Sequence, residues 1–583
     1  MSVFGARGYR DHGPDFADSL DMENAGSRLY GRQGQVPRLP VPPLEHTMGI
    51  FLESVKPLVT AEEFVETKRK VDEFVKSGQA EILQNRLKEL DAKRSNSSWF
   101  IKAWNELAYL GYRDSVVWNV SYFLQLKDEP AFAMSPTRRA ARFVYHSLFF
   151  RELVVSGDLD PDMRKKVPMS NSQYKYMFNA CRMPGDGMDV VRTYDPSKYR
   201  HIVVARKNRF YSFDVLDSKG SPKSIREIEV QLGRIVSMAD RVGIDEDAVG
   251  VLTAGDRDVW FEDRKRLVSG VPPEACELNR ASLEKIESSI IMVCFDDTSP
   301  TTREEIGRAL IHSDGRNRFW DKSIQVVFFE NGRAGFVGEH AMMDGLTTTR
   351  LVNFTLERMF GDSPEICFPS TSDELTSTAC LLDEPTCQRF ALSKSAKDAI
   401  ATAGRVFDDI ISTKELKVLM FHGYGKEQIK KFGMSPDAYA QMVIQLAYYK
   451  TFGVFRGTYE STQTRSFLHG RTEVTRSVST ASVEFCQAMT SGKALAKECH
   501  EKLLAATKAH SAFTSKAANG MGCDRHLLGL KLMLKKGERI PELYSDIGYS
   551  RSGTWAISTS GLVGELMDGW GFGEVVPHGV GIG

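Results

Sequence analysis

A histidine and an aspartate four residues apart, His340 and Asp344 in GEHAMMDG, are the first candidates for catalysis. They follow the segment IQVVFFENGRAGFV, in which Asn331 and Gly332 predict the turn of a β-hairpin. The end of a strand can hold a side chain rigidly, and imidazole, with a pKa of about 6.5, can take a proton from a hydroxyl or thiol and return it. An acid four residues on can orient the ring or neighbouring groups. A purely structural histidine is the alternative interpretation.

Three lysines precede a predicted helix in GYGKEQIKKFGMSPDAYAQMVIQLAYYK, namely Lys426, Lys430 and Lys431. Lysines four residues apart can bind one phosphate group, and Ser435 and Asp437 suit the first turn of the helix that follows. We expect this helix to bury four side chains, which are Tyr439, Met442, Val443 and Leu446. The segment lacks the GxxxxGK[ST] spacing of a P-loop. A solvated lysine cluster is the alternative.

Arginines and hydroxyls recur together in two later segments. TYESTQTRSFLHGRTEVTRS contains Tyr459, Thr472 and Arg476, and MGCDRHLLGLKL contains Arg525. A guanidinium flanked by tyrosine and threonine hydroxyls suits a carboxylate, because arginine offers paired donors in a fixed fork. Ion pairing within the fold is the alternative.

A short polar run, AISTSG, places Ser558, Thr559 and Ser560 at the expected end of a strand. A hydroxyl at this position can donate a hydrogen bond to a developing oxyanion. Small polar triplets are also common in ordinary turns, which is the alternative.

Composition narrows the class of protein. The 583 residues are 42% hydrophobic and 26% charged, which predicts a large core in two or more domains. Lysine plus arginine (76) equals aspartate plus glutamate (76), so no overall field favours nucleic acid. The nine cysteines form no CxxC pair and indicate reduced thiols in an intracellular compartment. Apolar runs such as Ile290 to Phe295 are too short to predict a transmembrane helix.

The elements that must position these residues mix helices and strands. Residues 1–34 carry both arginines and acids, which is unlike a transit peptide and predicts a flexible extension. The proline-rich run from Gln35 to Thr47 predicts an extended arm, and Thr60 with Glu63 predicts a capping box at the start of a helix that Gly78 closes. Strands dominate from about 200 to about 340, with a hairpin around Asn208, and helices return after about 390. We therefore predict an α/β protein with two lobes.

Eight motifs occur in one order along the chain: LPVPPLEHTM, PMSNSQYKYMFNACRMPG, VLTAGDRDVW, GEHAMMDG, TYES, GRTEVTRS, DRHLLGLKL and STS. In this order they resemble the carnitine and choline acyltransferase family, from about Leu39 to the end of the chain. One such motif is weak support, whereas eight in order outweigh the structural alternatives. The resemblance implies a CoA-dependent acyltransferase fold, with two lobes similar to chloramphenicol acetyltransferase and an active-site channel between them.

The same resemblance implies roles for the candidate residues. The family's catalytic histidine matches His340, and its acidic companion matches Asp344. The lysines that hold the 3′-phosphate of coenzyme A match Lys426 and Lys430, and an acid near the rest of that molecule matches Asp437. The resemblance also divides the chain into four parts. They are the extension (1–34), a segment packing with the C-terminal lobe (35–90), a lobe carrying His340 (91–390) and a lobe binding coenzyme A and carnitine (391–583).

Acceptor choice is implied by a second group of matches. Carnitine enzymes of the family recognise the carboxylate through residues that match Tyr459, Thr472 and Arg525, with Ser558 beside them. Choline acetyltransferases carry Val and Asn at the positions of Thr472 and Arg525, so an unpaired buried arginine would penalise choline. Val474 departs from the threonine usual in carnitine enzymes. The resemblance favours carnitine and leaves choline as the alternative.

Acyl-chain length is implied near the end of the chain. Long-chain members keep a glycine that opens a pocket for the acyl tail, and Trp570 in GWGFGEVVP aligns with that glycine. An indole at this position would fill the pocket and restrict the donor to acetyl or slightly longer groups. A medium- or long-chain carnitine acyltransferase is the alternative. Family members run on past VVPHGVGIG, so the resemblance implies a lobe shortened at its C-terminus.

The implied reaction is direct transfer between two bound substrates. His340 takes the proton of the carnitine hydroxyl as that oxygen attacks the thioester of acetyl-CoA, and Ser560 stabilises the oxyanion. We expect no metal and no permanently bound cofactor, and the partners are the small-molecule substrates of a monomer. Two other classes stay open. A metal-dependent hydrolase would use His340 and Asp344 as ligands but lacks a third ligand of suitable spacing, and a non-catalytic acyl-CoA-binding protein would not need Thr472 and Arg525.

Overall fold

Strands form where β-branched and aromatic residues cluster between turn residues. The structure is a computed structural model and describes residues 26–93, 97–129, 135–367 and 370–583. In these ranges the strands, numbered in chain order, are β1 (Tyr122–Leu126), β2 (Met163–Arg164), β3 (Val167–Pro168), β4 (Ala180–Met183), β5 (Val190–Thr193), β6 (His201–Arg206), β7 (Arg209–Asp214), β8 (Met292–Asp296), β9 (Ile324–Phe329), β10 (Ala334–Gly338), β11 (Thr386–Gln388), β12 (Thr458–Gln463), β13 (Thr472–Arg476), β14 (Ile557–Thr559), β15 (Met567–Phe572) and β16 (Val580–Ile582).

Many helices begin at a serine, threonine or aspartate whose side-chain oxygen accepts an early backbone N–H. In chain order they are α1 (Leu44–Val55), α2 (Ala61–Lys76), α3 (Gln79–Lys93), α4 (Ile101–Trp104), α5 (Val116–Asn119), α6 (Pro136–Ser156), α7 (Ile225–Val242), α8 (Arg257–Ser269), α9 (Pro273–Ser288), α10 (Arg303–Ile311), α11 (Gly345–Phe360), α12 (Pro364–Cys367), α13 (Ser372–Ala379), α14 (Lys394–Ser412), α15 (Lys426–Lys431), α16 (Pro436–Phe452), α17 (Thr480–Thr490), α18 (Ala496–Ala518), α19 (Asp524–Leu532) and α20 (Ile547–Gly553). A π-helical turn, Asn105–Leu110, follows α4. Within the described ranges, none of these helices combines the length and the apolar character needed to cross a bilayer.

The larger sheet has the strand order β11-β7-β6-β8-β9-β10-β1-β15. Both predicted hairpins are confirmed: Gly332 has a φ of 78° between β9 and β10, and Asn208 has a φ of 64° between β6 and β7. β1 lies between β10 and β15 and pairs antiparallel with both strands. The chain leaves β10 at Gly338, so His340 lies just beyond the end of that strand.

The smaller sheet has the strand order β13-β12-β14-β16. Its register pairs Tyr459 of β12 with Arg476 of β13 on one side and with Ser558 of β14 on the other. Because successive side chains alternate between the two faces of a sheet, Tyr459, Thr472 and Ser558 share one face. The opposite face packs on helices, since Glu460 of β12 hydrogen-bonds to a histidine of α18.

The first described residues are packed rather than free of the fold. Leu29 is fully buried and Tyr30 nearly so, in the apolar core beneath the larger sheet. The rest of the predicted extension, residues 1–25, lies outside the described ranges. The predicted arm ends early because α1 begins at Leu44 and buries apolar side chains at helical spacing. The capping box of Thr60 and Glu63 is confirmed at the start of α2.

Two segments beyond residue 390 belong to the core of the larger sheet. β15 pairs with β1, and α14 buries Ala396, Ile400 and Phe407 in the apolar cluster that also contains Val116 and Val117. A boundary at 390 between two lobes therefore cuts through a continuous core. Pairing between strands distant in sequence has no local signature, and no single boundary along the chain separates the core of the larger sheet from the rest.

The buried face of α16 differs from the predicted one. Met442 is fully buried as predicted, but Val443 is 48% exposed, and Tyr439 and Leu446 are only partly buried. Gln441 and Gln445 are buried instead, because they donate to threonines of the smaller sheet, namely Thr559 and Thr458. The sheet presents a polar face to this helix, so glutamines pack where the apolar spacing predicted valine and leucine.

Candidate active site

The imidazole of His340 lies between two tyrosine rings. The ring centroids of Tyr109 and Tyr122 are 5.2 and 5.1 Å from its own. Its Nδ1 donates to the backbone carbonyl of Met343 at 2.7 Å. Because a carbonyl only accepts, this hydrogen bond places the proton of the neutral ring on Nδ1 and leaves Nε2 as the basic nitrogen. The side chain is 29% exposed, so a substrate can approach it.

Burial governs the protonation of this histidine. It lowers the pKa of His340 and outweighs the carboxylate of Asp344, which acts to raise that pKa. The imidazole is therefore neutral at pH 7. A neutral imidazole with an available Nε2 can accept a proton from a substrate, which is the role of a general base.

Asp344 supports the loop of His340 rather than the ring itself. Its Oδ1 is 3.8 Å from Nδ1 of His340, which is too far for a hydrogen bond. The carboxylate instead accepts from Nε of Arg471 at 2.9 Å and from Nε2 of Gln173 at 2.6 Å. Burial acts to raise the pKa of Asp344, but the charge of Arg471 and the hydrogen bonds from Gln173 and Arg471 act to lower it, and the pKa is lowered. Asp344 is therefore ionised and orients neighbouring groups.

Arg471 enters the site only in the structure. Its Nη2 donates to the carbonyl of His340 at 2.8 Å, and its Nη1 donates to the carbonyl of Ala341 at 2.6 Å. The guanidinium also lies over the ring of Tyr109, 4.3 Å from the centroid. Arg471 thus holds both the backbone at His340 and one of the rings that pack against its imidazole. It lies in GRTEVTRS, but no spacing in that segment distinguishes it from Arg476.

A second ion pair holds the other side of the same loop. Glu339 accepts from the backbone N–H of Ala341 and from Nη1 of Arg182, both at 3.0 Å. Arg182 is fully buried and also donates to the carbonyl of Tyr109 at 2.7 Å. The backbone around His340 is therefore restrained from two directions, which limits the positions that the imidazole can adopt.

Three of the predicted acceptor residues meet at one point. Nη2 of Arg525 lies 3.4 Å from the hydroxyl of Tyr459 and 3.3 Å from that of Thr472, and its Nε donates to the carbonyl of Thr472 at 3.0 Å. The guanidinium also stacks over Trp104, 3.6 Å from the ring centroid. In these contacts a buried cation meets neutral oxygens. Such a site can bind a carboxylate ligand through charge-assisted hydrogen bonds.

Arg476 and the serines differ in their surroundings. Arg476 forms a two-point ion pair with Asp524 at 2.9 and 2.8 Å, so for this arginine the alternative of ion pairing within the fold is correct. Ser558 lies beside Tyr459 in the register of the smaller sheet. Ser560 follows the end of β14, where its backbone N–H donates to the carbonyl of Ile582 at 3.1 Å, and its side chain is partly exposed.

The lysines lie on a short helix rather than in a loop. α15 begins at Lys426 and places Lys430 one turn later, and both side chains are partly or fully exposed, with Lys430 paired to Glu427 at 2.9 Å. α16 follows directly and is capped by Ser435 as predicted. Because its Gln441 donates to Thr559 at 2.9 Å, α16 connects the lysine helix to the strand of Ser558.

Asp437, at the start of α16, lies near a buried acid and histidine. Nε2 of His510 is 2.6 Å from Oε2 of Glu460, and polar side-chain atoms of all three residues lie within 4.8 Å of one another. Burial raises the pKa of Glu460, His510 acts against this rise, and Asp437 adds to it. Glu460 and His510 were not predicted. Their association is visible only once β12 packs against α18.

Trp570 lies in β15, opposite Leu124 of β1. Its ring stacks on Phe572 with a centroid separation of 5.5 Å. In the same register Phe572 lies opposite Tyr122, which packs edge-on against the ring of His340. Trp570 therefore shares a sheet face with the tyrosine that contacts the candidate base.

Sequence comparison gives the context for this geometry. A family described as choline/carnitine O-acyltransferase matches residues 39–583. The chain belongs to this family. Among its curated relatives, mitochondrial carnitine O-acetyltransferase of Saccharomyces cerevisiae is 34% identical over 95% of this chain and 82% of the relative. Carnitine O-acetyltransferase of Homo sapiens is 32% identical over 97% of this chain and 90% of the relative.

Relatives with a different donor are similar to nearly the same degree. Mitochondrial carnitine O-palmitoyltransferase 2 of Homo sapiens is 31% identical over 94% of this chain and 86% of the relative. This choline/carnitine acyltransferase is therefore an enzyme of acyl transfer, and overall identity does not separate short from long acyl groups. That distinction depends on individual residues of the site.

Proposed function

We propose that this acyltransferase transfers an acetyl group reversibly between coenzyme A and the hydroxyl of L-carnitine. One observation carries the proposal. Arg471 hydrogen-bonds to the carbonyl of His340, and the next residue, Thr472, hydrogen-bonds to Arg525. A general base and a cationic site for a carboxylate are therefore adjacent, and carnitine carries both a hydroxyl and a carboxylate.

His340 is the proposed general base. Its Nε2 takes the proton of the carnitine hydroxyl as that oxygen attacks the thioester carbonyl of acetyl-CoA. The protonated ring then gives the proton to the departing thiolate, so no covalent acyl-enzyme forms. General base catalysis of this kind contributes about 10²- to 10⁴-fold, and holding both substrates in position removes much of the entropy cost of their encounter.

Ser560 is the proposed donor to the oxyanion of the tetrahedral intermediate. It follows β14, whose Ser558 lies beside Tyr459 of the acceptor cluster. In this proposal the Ser560 hydroxyl lies near the carbonyl that carnitine attacks, with the carnitine carboxylate bound to Arg525. Removal of one such donor typically costs about 10²- to 10³-fold in rate.

Arg525, Tyr459 and Thr472 are the proposed carboxylate site, with Ser558 on the same sheet face. Choline lacks the carboxylate and would leave Arg525 buried without a counter-charge, which costs several kcal/mol for a buried cation. The arrangement therefore supports carnitine over choline as the acceptor.

Coenzyme A is proposed to bind along α15 and α16. Lys426 and Lys430 lie one helical turn apart and suit the 3′-phosphate, while Asp437 suits a hydrogen-bond donor elsewhere on that molecule. Coenzyme A and its thioester are substrates, so the proposed reaction uses no resident cofactor. The proposed enzyme acts as a monomer.

The acyl group is proposed to lie against Trp570. The indole stacks on Phe572 and occupies the sheet face next to Tyr122, where a longer acyl tail would have to pass. This position distinguishes the proposal from a palmitoyl donor, which the palmitoyltransferase relatives otherwise make a plausible second candidate.

The larger sheet and the smaller sheet are each proposed to form one lobe similar to chloramphenicol acetyltransferase, with the active-site channel between the two lobes. His340 follows β10 of the larger sheet, whereas Tyr459, Thr472 and Ser558 belong to the smaller one. Contributions from both sheets to one site fit a channel between lobes. In this proposal β15 and α14 belong with the catalytic lobe.

Release of free thiol from acetyl-CoA with L-carnitine or choline tests the function. We expect strong release with carnitine and little with choline, and His340→Ala should abolish turnover while both substrates still bind. His500 is exposed, so His500→Ala is the matched control. Turnover retained in His340→Ala would refute the proposed base. Preference for palmitoyl-CoA over acetyl-CoA would refute the acyl assignment alone.

A further inference from the structure

Arg465 lies at the start of the turn that joins β12 to β13, the strands that carry Tyr459 and Thr472 of the proposed carboxylate site. Its side chain is 2% exposed, and its Nε and Nη2 donate to the backbone carbonyl of Ser170 at 3.0 and 2.8 Å. Nη2 also donates to the carboxylate of Asp162. The hairpin of the smaller sheet is therefore attached to the segment of the chain between α6 and β4.

Backbone hydrogen bonds strengthen this attachment. The N–H of Ser170 donates to the carbonyl of Arg465 at 2.7 Å, and the Ser170 hydroxyl oxygen accepts from the N–H of His469 at 3.0 Å. At the other end of the same turn, Arg471 donates to the carbonyl of His340. A hairpin held at one point can rotate about that point, whereas a hairpin held at both ends of its turn keeps a fixed distance to the candidate base.

Asp162 accepts two further hydrogen bonds, from Arg350 and Tyr174. Its Oδ1 accepts from Nη1 of Arg350 at 2.6 Å, and its Oδ2 accepts from the hydroxyl of Tyr174 at 2.9 Å. Arg350 belongs to α11, the helix that begins immediately after Asp344. One carboxylate thus joins the acceptor hairpin, the 3₁₀ turn Ser172–Tyr176 and the helix that follows the loop of His340.

Gln173, the neighbour of Tyr174 in this 3₁₀ turn, continues the connection to the candidate active site. Its Nε2 donates to Oδ2 of Asp344 at 2.6 Å, and its Oε1 accepts from the backbone N–H of Asp344 and from the hydroxyl of Thr347, both at 2.9 Å. Gln173 and Tyr174 are both buried. A shift of this turn would therefore move Asp344, which in turn is paired with Arg471.

Asp162 is ionised in this setting. Burial acts to raise its pKa, but the charges of Arg465 and Arg350 act to lower it, and the pKa of Asp162 is lowered. Its carboxylate forms ion pairs with both arginines. Loss of its charge would remove the counter-charge of the buried Arg465 guanidinium, which weakens the attachment of the hairpin.

We propose that Asp162 is a specificity-determining positioning residue: by holding the Arg465 end of the turn, it sets the distance between the carboxylate site at Arg525 and the base at His340. That distance selects acceptors in which one methylene separates the hydroxyl-bearing carbon from the carboxylate, as in L-carnitine. The inference rests on the proposed function, because it needs an acceptor carboxylate at Arg525. In this scheme Asp162 acts through Arg465 rather than on the substrate.

Initial rates with two acceptors test the inference: L-carnitine, and its homologue with a second methylene between the hydroxyl-bearing carbon and the carboxylate. In the wild type we expect kcat/KM to favour L-carnitine by about 10- to 200-fold. Asp162→Asn keeps the size of the side chain and removes its charge, so it should reduce this preference by about tenfold or more. The KM for L-carnitine should rise, whereas the KM for acetyl-CoA should change little because its proposed phosphate site is on α15.

Two further variants make the test specific. Asp160→Asn is the matched control, since Asp160 lies two residues earlier and its side chain is 64% exposed. Arg465→Lys keeps the charge but loses the fork that reaches Ser170 and Asp162 together, so it should reduce the same preference. Combined with Asp162→Asn it should add little, because both substitutions remove one contact. Thermal melting shows that each variant is folded.

The outcomes separate this inference from the proposed function. An unchanged preference in folded Asp162→Asn or in folded Arg465→Lys overturns the inference, also where activity falls equally with both acceptors, and leaves the proposed function standing. A wild type that uses the two acceptors equally well overturns the inference without any variant. Absence of carnitine-dependent turnover in the wild type overturns the proposed function and the inference together.

Discussion

Nε of Arg471 lies 2.9 Å from the Asp344 carboxylate, and its Nη2 donates to the backbone carbonyl of His340 at 2.8 Å. This ion pair connects the hairpin of the smaller sheet to the loop after β10 of the larger one. Arginine suits the position because its planar fork can donate in several directions at once, whereas lysine presents a single point of charge.

Asp344→Asn and Arg471→Lys should each lower kcat by about tenfold or more, equal to about 1.4 kcal/mol of transition-state stabilisation. The base would lose its fixed position while both substrates still bind, so KM values should change little. Because the two residues act together, the kcat of the double variant should be no lower than that of the less active single variant. Asp398 is exposed, and Asp398→Asn is the matched control. Additive losses would show that the ion pair does not act as a unit.

Arg525→Asn should lower kcat/KM for carnitine by about 10²- to 10³-fold, because a charge-assisted pair with the carboxylate is lost. Turnover with choline should rise relative to carnitine, since no buried cation remains without a counter-charge. Initial rates with both acceptors measure the ratio. Arg539 is 78% exposed, so Arg539→Asn provides the control. An unchanged acceptor ratio would place the carboxylate site elsewhere.

Trp570→Gly should shift donor preference towards longer acyl groups. Removal of the indole opens the sheet face beside Tyr122, and the ratio of kcat/KM for octanoyl-CoA to that for acetyl-CoA should rise by about tenfold or more. The variant should also lose about 3 kcal/mol or more of stability, because a large aromatic contact is removed from the core edge. Thermal melting measures that loss. A constant donor ratio in a folded variant would contradict the acyl-pocket assignment.

Because His526 is buried as a neutral ring, we expect the protein to lose stability in mild acid. Its Nε2 donates to Oε1 of Gln84 and its Nδ1 accepts from the hydroxyl of Thr47, both at 2.7 Å, so the buried ring is neutral. Burial lowers the pKa of His526 to about 3, below the value of about 6.5 for an unfolded chain. The stability that the neutral His526 ring gives the fold is therefore fully present above about pH 6.5, and it is lost as the pH falls from about 6.5 towards about 3.

The expected slope is about 1.4 kcal/mol of unfolding free energy per pH unit for each such histidine. Denaturant unfolding at pH 7, 6 and 5 measures it, and His526→Gln should reduce the slope by about one proton. Substitution of the exposed His500 by Gln should leave the slope unchanged. An identical slope in wild type and His526→Gln would mean that this histidine is accessible to protons in the fold.

Local chemistry predicted local structure well. The hairpin turn at Gly332 needs a positive φ, the capping box at Thr60 needs side chains three residues apart, and Ser435 starts α16, so each was readable from a few neighbouring residues. The grouping of Tyr459, Thr472 and Arg525 came from the family resemblance rather than from spacing.

Interactions between distant segments were the part that the sequence did not show. Arg471 and Arg476 belong to one motif, yet Arg471, just before β13, binds the His340 loop, whereas Arg476, at the end of β13, binds Asp524. The segments that pack around each arginine decide this difference. Val443 was predicted to be buried because apolar spacing assumes an apolar partner, whereas the smaller sheet offers threonines to α16.

β15 has a consequence for biosynthesis. This strand lies far beyond β1 in the sequence, yet it completes the larger sheet by pairing with β1, so β1 is synthesised long before its partner. Until then the edge of β1 has unpaired backbone groups that can bind other chains. The nascent enzyme therefore needs protection of this edge until β15 has been synthesised.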